Sequence, residues 1–118
     1  MNLASYLTVT NSSGLFELNN DGTVLYSRFR KNNQLLNTNS EMVGHNFFED
    51  IAGFENVRDL RRIFNNFVRS NKFTDNFIFE CRFSEEVVPV RVMMVRAFEN
   101  SFPNPADIVI LDIRNEVF

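Results

Sequence analysis

Two periodicities divide the chain. Over 77–83, Phe77, Phe79, Cys81 and Phe83 alternate with Ile78, Glu80 and Arg82, the period of a half-buried strand. Val88, Val90, Val92 and Met94 repeat that period against Arg91, Met93 and Val95, with Ser84, Glu85 and Glu86 as the turn between them. Pro89 falls near this strand's start, where a missing N–H is tolerated. Ile108, Val109, Ile110 and Leu111 form an unbroken apolar run, which predicts a central strand after a Pro-containing loop over 100–107. Between 57 and 68 the period changes. Val57, Leu60, Ile63, Phe64, Phe67 and Val68 recur at helical spacing, with Arg58, Arg61, Arg62, Asn65, Asn66 and Arg69 on the other side. Asn56 is the expected N-cap, Asp59 suits the positive end of the helix, and 70–72 stops it.

The N-terminal half carries weaker signals. Leu15 to Leu18 and Thr23 to Ser27 flank Asn19, Asn20, Asp21 and Gly22, which is hairpin chemistry. The stretch 31–40 is polar, broken only by Leu35 and Leu36, and reads as irregular structure with one helical turn. Asn46 followed by Glu49 resembles a capping box that opens a short helix, and Gly53 ends it. Strand, strand, short helices, a longer helix and three strands describe an α+β fold: five antiparallel strands with the helices on one face. A cleft between the two layers is where a small ligand would sit.

Composition narrows the function. With 118 residues the chain makes one domain with a core of its own. A net charge of −3 argues against a nucleic-acid partner. One Cys and one His cannot build a zinc site or an internal disulfide. Neither a signal peptide nor a membrane-spanning segment is legible, which places the expected location in the cytoplasm. The 14 Phe, with no Trp, are a heavy aromatic load that either wraps a hydrophobic ligand or fills the interior itself.

The hairpin ELNNDGTVLYS, the segment VGHNFFEDIAGF, the long helix and the terminal ILDIRNE together resemble a PAS domain, nearest the photoactive yellow protein branch. The likeness spans 14–118, with 1–13 as an N-terminal cap segment. It implies a sensory or regulatory module of a bacterial-type signalling protein, passing ligand or partner binding to an output domain. It also implies that Asp112, Ile113 and Arg114 are the exit of that signal, and dimers are common in the family.

Three departures from the branch remove its photochemistry. Its chromophore cysteine falls on Phe54, its chromophore-contacting tyrosine on Ser27 and its buried glutamate on Lys31. Phe54 has no thiolate to form a thioester. The flavin-binding cysteine motif and a haem-binding helix histidine are likewise missing, so no cinnamoyl, flavin or haem cofactor is expected. The ligand-pocket candidates are Ile51, Phe54, Phe64, Phe79 and Cys81.

Other features have plain readings beside functional ones. His45 could titrate as a switch or simply satisfy its turn. Cys81 could sense redox state or act as a small hydrophobe. The arginine face of the helix could meet an acidic partner or only water. No nucleophile with its base, no carboxylate dyad and no phosphate loop can be assembled, so catalysis is not expected. Two alternatives stay open: a ligand-free dimerisation or protein-interaction module, working through the sheet face or the segment 2–10, and a small cone-fold isomerase, which needs a buried carboxylate among the strands.

Overall fold

The computed structural model describes residues 7, 13–31, 34–99 and 106–115. Six strands make one antiparallel sheet: β1 (Gly14–Leu18), β2 (Val24–Lys31), β3 (Gln34–Thr38), β4 (Thr74–Arg82), β5 (Val87–Glu99) and β6 (Ala106–Arg114). Their order is β3-β2-β1-β6-β5-β4, so the last strand in sequence lies inside the sheet, between β1 and β5. The sheet has six strands where five were expected, and β6 is internal as its apolar run requires. The sixth strand corrects the reading of 31–40. Lys31 belongs to β2, and Gln34–Thr38 pairs with β2 at the sheet edge. The helical turn expected in this stretch falls at its end, as a 3-10 turn over Ser40–Met42.

The hairpin joining β1 and β2 turns through a side-chain mimic of backbone. Asn19 Oδ1 accepts the N–H groups of Asp21 (2.9 Å) and Thr23 (3.0 Å), and Gly22 takes φ +88°. A Cβ at Gly22 would meet the Phe48 ring at 2.9 Å. The bare backbone therefore lets the turn press against the helical layer. Phe47 N–H donates to Gly22 O at 2.9 Å, and Val24 N–H to His45 O at 2.8 Å, stitching the two layers together.

Two further helical pieces cover one face of the sheet. Phe47–Ile51 forms a short π-helix, and Val57–Arg69 forms α1. Asn46 caps the first, accepting from Phe48 N–H (2.9 Å) and Glu49 N–H (3.2 Å). The reciprocal acceptor is Asp50 rather than Glu49, with Asn46 N–H 3.1 Å from its carboxylate. The wide turn, closed by Ala52 N–H on Phe47 O, moves the returning side chain one position on. It also ends at Ala52, one residue before the expected Gly53.

Asn56 precedes α1 but makes no side-chain cap. Its amide instead reaches β4, donating to Glu80 O (2.7 Å) and accepting from Arg82 N–H (2.9 Å). At the other end Arg96 of β5 replaces a terminal glycine. Its guanidinium donates to the carbonyls of Phe67 (2.7 Å), Ser70 (3.1 Å) and Lys72 (3.2 Å), and lies over the Phe67 ring.

The core lies between sheet and helices. Phe16, Leu18, Val90, Val92, Met94 and Leu111 face Phe47, Ile51, Leu60 and Phe64 across it. Leu7, bridged in parallel to Ala52, is also buried there. Apart from Leu7 and Ser13, the expected cap segment 1–13 lies outside the described residues, as do 100–105 of the expected loop.

Candidate functional site

The five pocket candidates are all buried in the one core, on three elements and a connection. Ile51 ends the π-helix, Phe54 follows it, Phe64 is on α1, and Phe79 and Cys81 are on β4. Their rings divide into two sets. Phe64 stacks at a tilt on Phe48 (5.0 Å between centroids), which continues through Phe47 (5.1 Å) and Phe16 (4.9 Å) to Phe29 (6.1 Å). Phe54 instead meets Phe79 (5.8 Å) and Phe83 (6.2 Å). Among the described residues no ring pair joins the sets. Phe54 is a packing residue in contact with two other rings, each such pair worth ~1 kcal/mol beyond area burial.

Cys81 completes the second region chemically. It is free and buried, and burial pushes its thiol up to about 12. A thiol held neutral is a poor nucleophile and a poor metal ligand. Ser27 is fully buried on β2, and its hydroxyl lies 3.4 Å from the Met42 sulfur.

The three exit candidates lie at the end of β6. Ile113 points into the core, and Arg114 is exposed. Asp112 points to the other face of the sheet yet is only 8 % exposed, because arginines cover it. Arg30 of β2 engages its carboxylate with both terminal nitrogens, the longer contact being 3.4 Å. Arg114 adds contacts of 3.3 and 3.4 Å from β6 itself. Between β2 and β6 runs β1, whose Leu15 is paired with both Arg28 and Asp112. The Arg30 side chain therefore spans a whole strand. Arg30 carried no signal in the sequence: it sits in a polar alternation like any solvent-facing position.

His45 sits in the turn before the π-helix, half-exposed, with Nδ1 3.6 Å from the Asp50 carboxylate. Its backbone bonds to Val24 and Met42 hold the turn in place. Along α1, Arg61 lies over the Phe48 ring (5.7 Å) and reaches Glu49 (3.3 Å), and Arg62 lies 3.6 Å from Asp59. Among the described residues no group of three or more His, Cys, Asp or Glu is placed to hold a metal ion, and no helix is long and apolar enough to cross a membrane. Neither the protein-family models nor the curated proteins contain a match to this chain.

Proposed function

We propose that this chain is a non-catalytic regulatory module of the PAS type, working in the cytoplasm, that passes a binding event to an output domain through the end of β6. One observation carries the reading: the buried Arg30–Asp112 pair, which links the β1–β2 hairpin to the strand bearing Asp112, Ile113 and Arg114. The same hairpin is stitched to the helical layer at Gly22 and Val24. An event at the helices thus has a continuous hydrogen-bonded route to β6. A coupling of roughly 1–3 kcal/mol between two arrangements is enough for such a relay.

The input can be a small hydrophobic ligand or a partner. The ring contacts of Phe54 favour a partner, because they occupy the region where the resembled branch holds its chromophore. The alternative is the same fold as a ligand-free dimerisation module.

Native against denatured mass, with an absorbance scan of the same sample, separates these. A mass excess lost on denaturation identifies a ligand as the input. Equal masses at monomer size mean an unoccupied or low-affinity cleft. Equal masses per chain at dimer size favour the dimerisation module. The relay itself is tested by amide NMR of Asp112→Asn: shifts and exchange must change beyond the direct contacts, at Gly22, Val24 and Phe47 where the hairpin meets the helical layer. Changes confined to β6, β1 and the surroundings of Arg30 overturn it.

A further inference from the structure

One sheet edge is β4, and its two halves differ. Glu80 lies opposite Pro89, which has no N–H to offer, and Glu80 turns its backbone outward. By the alternation of an antiparallel pair, Thr74, Asn76, Ile78 and Arg82 turn outward too. At the far half the chain covers this edge itself. Asn56 takes Glu80 O and Arg82 N–H, and Glu55 N–H donates to Arg82 O at 2.7 Å. At the near half, Asn76 N–H donates to the adjoining Asp75 carboxylate (3.0 Å). The other outward backbone groups of Thr74, Asn76 and Ile78 have no partner among the described residues. Proteins commonly guard such an edge with Lys, Pro or a bulge, and 74–78 has none of these.

What adjoins this open stretch suits a ligand backbone with side chains. Phe73 is 68 % exposed and Ile78 48 %, both large apolar groups in water. On the helix side a groove of about 210 Å³ is lined by Ile63, Asn66 and Phe67 of α1, by Ser70 just beyond it, and by Lys72 and Asp75. Arg96 takes the β5 side of the same helix end, so the groove belongs to the β4 side. Lys72 and Asp75 both line it, and Arg69, three residues beyond Asn66, adds a second cation on that side of the helix. Neither cation has a carboxylate partner among the described residues, so the two outnumber the single Asp75 carboxylate, which accepts the Asn76 N–H.

We propose that the 74–78 edge of β4 and this groove bind an extended acidic segment of a partner protein. The segment adds a strand to β4, sets one apolar side chain between Ile63 and Phe67, and brings a carboxylate to Lys72 and Arg69. Main-chain bonds supply affinity and the groove supplies selectivity. The site stands apart from the relay through β6, and neither result below bears on that relay.

The probe is a phage-displayed library of random dodecapeptides panned on the whole chain. The best binder is then synthesised and titrated by fluorescence polarisation. Selection of acidic peptides with alternating apolar residues is expected, and Lys72→Glu and Ile78→Pro should each weaken binding about tenfold or more. Ile78→Pro removes an outward N–H that the fold does not use. Should that variant misfold, backbone N-methylation of the peptide at alternate positions makes the same test on the unaltered protein. Failure to enrich any peptide overturns the site, as does binding indifferent to Lys72→Glu and to N-methylation. Self-association abolished by Ile78→Pro assigns the edge to a second copy and overturns the proposal as well.

Discussion

Arg30 and Asp112 are 82 residues apart in sequence, and their side chains meet over the top of the strand that separates them. Both are close to nine-tenths buried. Asp112→Ala leaves the Arg30 guanidinium with little water and no carboxylate, which costs roughly 3 kcal/mol. The double variant Arg30→Met, Asp112→Leu removes both charges and should recover most of that loss. Urea midpoints of the three chains check this. A double variant weaker than Asp112→Ala contradicts the account.

Gly22 and Gly44 share nearly the same positive φ, +88° and +89°, but differ in what lies beside them. A Cβ at Gly44 meets nothing within 4 Å, whereas one at Gly22 meets the Phe48 ring. Gly44→Ala should therefore cost about 1 kcal/mol of backbone strain. Gly22→Ala should cost about 1–3 kcal/mol more, the range for an overpacked contact. Thermal melting of the two variants side by side gives the comparison.

The Cys81 thiol makes stability fall in alkali. Its value of about 12 in the folded chain lies above the ordinary 9.0 of the unfolded one. Below the unfolded value both states hold the proton and nothing changes. Above it the unfolded state loses the proton first, so stability declines as pH rises towards the folded value. Between about pH 8 and about pH 10.5 this amounts to ~2 kcal/mol. Cys81→Ala lacks the effect, and the difference between the two pH profiles in denaturant isolates it from tyrosine and lysine titration.

Asn56 holds the start of α1 to the end of β4 through both faces of its amide. Asn56→Ala should lose about 1–3 kcal/mol. Hydrogen exchange at Arg82 N–H should accelerate with it. Exchange at Phe77 N–H, which by the same alternation faces β5, should follow only the global loss of stability.

Much of the fold was legible because it rests on local period. The alternation at 77–83 and the helical recurrence at 57–68 are properties of one segment meeting one core, and both elements form. β3 was not legible, since four of its five residues are exposed and its pattern has no apolar period. What makes it a strand is pairing with β2, reinforced by the Arg28 guanidinium on the carbonyls of Leu36 (2.6 Å) and Leu35 (3.4 Å). Asn56 shows the opposite error. Its type and place fit a cap, but a neighbouring strand offered its amide a donor and an acceptor at once. The candidate site was legible as a set of buried residues. Its division into two aromatic groups was not, because ring contacts depend on how far each element is rotated about its axis. Arg30 has no counterpart in local sequence at all.

The internal place of β6 has a consequence for how this chain assembles. The β1–β2–β3 ribbon and the β4–β5 hairpin can each form from neighbouring sequence, yet no strand pairing joins them until β6 enters between them. Each waiting piece keeps an open edge towards that gap. Closure is therefore a late, long-range event with a large entropic cost, the kind that slows folding. A chain growing from its N-terminus cannot seal its sheet until Ile108 to Ile113 have been made.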